Sequence, residues 1–146
     1  MKKTLCIVML LAMVFALCAC GHTATTTDNF ISVMESKGFI VEPMEDAPDG
    51  GEGYIAYTND FDFVVMFYRL TSAEQANNAY QNDVAILDTM GGTSTSVNAG
   101  SFGCTTRNAD GVFYITSHVD NTYMYGKTSS DQASAMKELF EFFDYK

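Results

Sequence analysis

Apolar positions along this chain change rhythm several times, and each rhythm implies a different element. From Leu5 to Ala19 there is no rhythm at all, only about 15 uncharged, apolar residues behind Lys2 and Lys3. A spanning helix needs about 20 such residues, so the run has the layout of an export leader. Gly21 to Thr27 are small and polar. Helical spacing then starts: Thr27-Asp28 offers a cap, and Phe30, Val33 and Met34 fall on one helix face. Lys37-Gly38 ends that helix, with Phe39 folding back as a hydrophobic contact. Phe39 to Val41 reads as a strand. Pro43 to Gly53 holds both prolines, three glycines and a run of acids, and reads as a surface loop.

Period-two alternation follows. Tyr54 to Tyr57 and Phe61 to Leu70 flank Asn59-Asp60, which suits a tight hairpin turn. Ala76, Tyr80, Val84 and Leu87 then recur at helical spacing between Ser72 and Met90, and Gly91-Gly92 stops the helix. Thr93 to Ala99 is a loop or weak strand. Three strand-like runs come next, separated by turns at Asn108-Ala109-Asp110-Gly111 and Asp120-Asn121. A last helix from Ser129 carries Ala133, Met136, Phe140 and Phe143 on one face, with Lys137, Glu138, Glu141 and Asp144 opposite.

Residues Arg69 to Ala76 parallel Gly126 to Ala133 at an offset of 57. Each is an aromatic strand entering a helix through a Ser/Thr cap, with Gln positioned to complete a capping box. Two duplicated hairpin-then-helix units would produce this, and so would convergence on good capping chemistry. The element order contains no repeating βαβ pattern. It predicts an α+β domain: an antiparallel β-sheet with about three helices packed on one face.

Two strand patterns carry the candidate surface. If Asp120-Asn121 is a two-residue turn, Val119 opposes Thr122, His118 opposes Tyr123 and Thr116 opposes Tyr125. One face of that ribbon is then Tyr114, Thr116, His118, Tyr123 and Tyr125, and the other is the core face of Phe113, Ile115, Val119 and Met124. The first is a wet, aromatic surface of a kind that proteins and sugars bind, because Tyr offers area and a hydroxyl together; it also suits the outer side of a sheet with no further role. Phe61 to Leu70 is apolar on both sides, and such a strand is normally covered on both. A loop, a ligand or a second copy is expected to shield the side the helices leave open.

The cleavage region Leu17-Cys18-Ala19-Cys20 resembles the lipobox of bacterial lipoprotein precursors: an aliphatic residue, a small residue, Gly or Ala, then the Cys that receives the lipid. Leu17, Ala19 and Cys20 match the pattern, and Cys18 is a less usual small residue. The resemblance covers only the leader. It implies a signal peptide at 1–19 and lipidation at Cys20, which would hold the chain to the extracytoplasmic face of a cell membrane; the residues that follow read as a Thr-rich tether over 20–27 and a single domain at 28–146. Two or more acyl chains hold a protein stably where one is marginal.

The formal net charge is −10, and losing Lys2 and Lys3 with the leader makes it −12. Nucleic acid and anionic headgroups are bound through Lys and Arg, so nucleic acid is excluded as a partner and membrane attachment is left to the acyl chains. Cys104 is alone once the leader and Cys20 are accounted for, so no disulfide is expected. Cys104 and His118 are the one plausible nucleophile–base pair. A four-residue turn with a Gly bulge at Asn108–Gly111 places them diagonally within about 8 Å; a loop of Ala109-Asp110 alone puts them on opposite faces. The acids Glu42, Glu45, Asp46, Asp49 and Glu52 do not match calcium-loop spacing. No metal site or cofactor is expected. The reading is a non-catalytic binding domain on a lipid anchor, which engages another envelope protein or a second copy. The alternatives are a small hydrolase or thiol enzyme using Cys104 with His118, and a structural subunit of an envelope complex.

Overall fold

The computed structural model describes residues 21–47 and 50–146; the leader, the lipidation candidate Cys20, and Pro48 and Asp49 of the acidic loop lie outside them. The element order is α1 (Thr27–Ser36), β1 (Ile40–Pro43), β2 (Glu52–Tyr57), β3 (Phe63–Arg69), α2 (Ala73–Asp88), β4 (Thr93–Ala99), β5 (Phe102–Ala109), β6 (Val112–Val119), β7 (Thr122–Ser129), a 3-10 turn (Ser130–Gln132) and α3 (Ala133–Phe142). The strands make a seven-stranded sheet in the order β1-β2-β3-β7-β6-β5-β4, and each neighbouring pair is antiparallel. This is the α+β class the pattern implies. Thr93–Ala99 is a full edge strand, exposed at every residue.

Local chemistry sets the element ends. Thr26 caps α1, its hydroxyl accepting from the Asn29 amide at 3.2 Å. At the other end Gly38 takes a φ of +86°. The Gly38 amide can then donate to the Glu35 carbonyl at 2.9 Å and the Phe39 amide to Met34 at 3.1 Å, the pair of reversed bonds a C-terminal glycine permits. The β2–β3 turn differs from expectation. Its left-handed residue is Phe61, at φ +58°, not Asn59 or Asp60. Asp60 instead accepts from the Thr58 hydroxyl at 2.6 Å and the Asp62 amide at 3.3 Å, and the Phe61 ring stacks on Tyr57 at 4.4 Å.

The helices divide between the two faces. Phe63, Val65 and Phe67 of β3, Phe113, Ile115 and Val119 of β6 and Met124 of β7 form the core face, covered by Phe30 and Met34 of α1 and by Met136, Leu139 and Phe140 of α3. Each fully buried side chain of this size contributes roughly 1.5–3 kcal/mol. Helix α3 comes close because residue 126 is glycine: a Cβ there would lie 2.6 Å from Met136 Sδ and 2.9 Å from the Phe140 ring. Helix α2 lies on the opposite face, across β5, β6 and β7, so the expectation of three helices on one face does not hold.

The cause lies in the two hairpin-to-helix connections, which are built differently. Ser72 caps α2, accepting from the Gln75 amide at 3.2 Å, while Gln75 Oε1 accepts from the Thr71 amide at 3.1 Å. Leu70 is buried with Ala76, Tyr80 and Tyr123, which commits the chain to their face. Ser129 makes no capping bond, and a 3-10 turn intervenes before α3. That extra turn lets the chain swing to the core face. The parallel between Arg69–Ala76 and Gly126–Ala133 therefore does not extend to a shared arrangement.

The segment ahead of α1 is docked on the domain. The His22 ring stacks on Phe102 at 3.6 Å, and the Thr23 amide donates to the Asp144 carboxylate at 2.6 Å.

Candidate functional site

Helix α2 presents a stripe to the sheet at i, i+4, i+7 and i+11: Ala76, Tyr80, Asp83 and Leu87. Three are apolar or aromatic and buried; the fourth is an acid. Two anchors hold the stripe down. The Tyr80 hydroxyl bonds Thr105 Oγ1 at 2.8 Å, and Ser96 bonds the same oxygen at 2.8 Å. At the helix C-terminus Arg107 reaches up from β5, donating to the Met90 carbonyl at 3.2 Å and to Asp88 at 2.5 Å. A cation at this end also complements the helix dipole. The sheet makes room at Gly103, where a Cβ would lie 2.8 Å from the Tyr80 ring and 2.9 Å from His118.

The helix covers β5 to β7 but leaves β3 partly open, and a cavity of about 420 Å³ remains beside it. Its walls are Met66, Leu70, Ala79, Ile86, Leu87 and Met90, with Tyr68, Tyr123 and Tyr125 as aromatic panels and Asp46 at the rim. The second apolar side of β3 thus faces this cavity through Met66, Tyr68 and Leu70 and stays only partly covered by the chain itself, where a loop, a ligand or a second copy was expected to cover it.

At the polar end, Asp83 accepts from the Tyr123 hydroxyl and from Thr116 Oγ1 at 3.5 Å. Burial pushes the Asp83 carboxyl up to about 6, against the smaller lowering effect of the Thr116 bond. Burial, then the Asp83 charge, pushes the Tyr125 phenol up to about 12. Tyr68 is raised by burial and then by the charges of Asp83 and Asp46. These two phenols stay protonated at neutral pH, and the acidic side chains lining the cavity among the described residues are Asp83 and Asp46. With apolar walls, three phenols and one inward carboxylate, the arrangement suits holding a ligand.

The predicted ribbon is present: Val119 pairs with Thr122, His118 with Tyr123 and Thr116 with Tyr125, and Tyr114, Thr116, His118, Tyr123 and Tyr125 share a face. That face is not the open, wet surface expected. Thr116, His118 and Tyr123 are buried beneath α2, and Tyr114 and Tyr125 are half-buried. Tyr123 and Tyr125 line the cavity and Thr116 supports its carboxylate. His118 is only 2% exposed, held 5.0 Å from the Tyr80 ring. Neither of its nitrogens meets a protein partner among the described residues, and burial lowers its pKa. Tyr114 lies outside the cavity.

Cys104 and His118 are not brought together. The β5–β6 loop is Asp110-Gly111, at φ +51° and +79°, and Ala109 pairs with Val112. Two successive left-handed residues make the tight hairpin whose twist matches its strands. Neither weighed register has this pairing, although the Ala109-Asp110 loop shares its facing. Cys104 opposes Ser117 on the core face, while His118 opposes Gly103 beneath α2. Burial pushes the Cys104 thiol up to about 11.

The sequence reading missed Asp83 by assigning the inward position to Val84. A signal was there, since Asp83 stands seven residues after Ala76 and three after Tyr80, on the stripe itself. The β3 contribution, Met66, Tyr68 and Leu70, carried no signal beyond that strand's two-sided apolarity.

No protein-family model matches this chain, and no curated protein matches it in sequence. Its fold is similar to the crystal structure of a GTP binding regulator from Thermotoga maritima, at 12% sequence identity and a TM-score of 0.57, covering 84% of this chain and 93% of that one. At that identity the likeness shows the fold alone.

Proposed function

We propose that this chain is a lipoprotein held at the extracytoplasmic face of a membrane by acyl groups on Cys20, and that its domain binds a small, largely apolar ligand beneath α2. The cavity carries the binding half of this reading. Its volume of about 420 Å³ falls within the roughly 300–1,000 Å³ of small-molecule sites, which are likewise apolar with a few convergent polar groups. The anchoring half is supported by the leader and by Leu17-Cys18-Ala19-Cys20. Thiol catalysis is disfavoured by the separation of Cys104 from His118 across the sheet.

The binding half is tested with a neutral fluorescent probe such as N-phenyl-1-naphthylamine. Fluorescence enhancement is expected with the native chain and its loss with Ala79→Trp, which fills the cavity while circular dichroism reports an intact fold. Equal enhancement in both proteins would place the probe elsewhere. The anchoring half is tested by metabolic labelling with a palmitate analogue. Label is expected in membranes and absent in Cys20→Ser; a free thiol at Cys20 in the purified protein would refute it.

A further inference from the structure

Apolar walls do not explain an inward-facing carboxylate. Among the described residues Asp83 meets neutral donors alone, the hydroxyls of Tyr123 and Thr116. The ion pairs among the described residues join His22 to Asp144, Arg69 to Glu52, Arg107 to Asp88 and Lys146 to Glu141; none reaches Asp83. Among the described residues no Lys, Arg or His lines the cavity. A part-buried carboxylate without a counter-charge is costly, and helix α2 would bury an alanine or leucine at this position more cheaply.

We propose that the cavity selects an apolar cation: a small alkylammonium or other amine-bearing molecule whose positive head rests against Asp83 while its tail lies along Met66, Leu70, Ile86 and Met90. This rests on reading the cavity as the ligand site. Three further features fit that head group. Asp46, from the loop between β1 and β2, adds a second negative charge at the rim. Tyr68 from β3 and Tyr123 and Tyr125 from β7 add aromatic rings to the lining, a kind of group to which ammonium ions are attracted. The groups facing Asp83 from the sheet, which are Thr116 on β6 and these tyrosines, bring no positive charge that would compete with the ligand's. An anion placed here would meet two carboxylates and no cation.

The test is calorimetric titration of the mature protein at pH 7.5 and physiological salt with three probes sharing an octyl tail: octyltrimethylammonium, octanol and octyl sulfate, each below its micellar concentration. The ammonium is expected to bind at least about tenfold tighter than octanol, with no detectable sulfate binding. In Asp83→Asn the ammonium-to-octanol ratio should collapse toward one, whereas Glu74→Gln, which removes an exposed acid on the same helix outside the cavity, should leave it standing. A second measurement needs no variant. Lowering the pH to 5 protonates most of Asp83, so the native protein's affinity for the ammonium should fall about tenfold while that for octanol holds. Octanol binding as tightly as the ammonium, a ratio that survives Asp83→Asn, or no change at pH 5 would overturn the selectivity and leave the apolar site intact. Binding by none of the three would overturn both.

Discussion

Replacing Asp83 by Asn keeps the shape of the side chain and an oxygen to accept from Tyr123 and Thr116, but removes its charge at every pH. Burial raises the Asp83 carboxyl from 3.8 to about 6, a gap of about two units, or about 3 kcal/mol at about 1.4 kcal/mol per unit. The side chain is only part-buried and lines a cavity open to the surface, so screening reduces the effect to about 1–2 kcal/mol. A raised carboxyl means the folded state holds its proton more tightly than the unfolded chain does. This group therefore favours folding below about pH 4, loses that contribution as the pH rises from about 4 to 6, and changes little above. Asn does not titrate. The variant should match the native protein near pH 4 and exceed it by about 1–2 kcal/mol at pH 7.5, with the difference opening between. Urea unfolding followed by circular dichroism at pH 4, 5, 6 and 7.5 measures this. An Asn variant less stable at pH 7.5, or a difference that does not vary with pH, would refute the claim that Asp83 is an uncompensated charge. Stability gained where ligand selectivity is lost is the usual trade at a binding site.

Other outcomes follow from the same geometry. Gly103→Ala drives a methyl into the Tyr80 and His118 rings, at 2.8 and 2.9 Å, and should cost about 1–3 kcal/mol, seen as a drop of several degrees in the thermal midpoint. Ser72→Ala removes a capping bond and should cost about 1 kcal/mol. Ser129→Ala removes none and should stay within about 0.5 kcal/mol in the same denaturant assay. In a Cys20→Ser background, the Cys104 thiol, 7% exposed and pushed up to about 11, should ignore Ellman's reagent at pH 8 until urea is added; prompt labelling of the folded protein would contradict its burial.

What the sequence alone determined is local. Strand alternation separated Phe113, Ile115, Val119 and Met124 from Tyr114, Thr116, His118, Tyr123 and Tyr125 because a pleated strand sends alternate side chains to opposite sides. Asp120-Asn121, taken as a two-residue turn of residues that tolerate its backbone, gave the β6–β7 pairing that is observed. The α+β class followed from element order. Tertiary structure decided what no local pattern encodes: that β3 and β7 meet at the centre of the sheet, and which face each helix covers. Helices α2 and α3 enter from similar sequences, yet α3 follows a 3-10 turn after Ser129 and packs on the other side. The Tyr-bearing face looked open because its cover, α2, comes from a segment more than 25 residues earlier in the chain. The cavity exists only where that helix stops short of β3, so its walls come from segments far apart in sequence, and Asp83 becomes a part-buried charge only once the sheet lies beneath it.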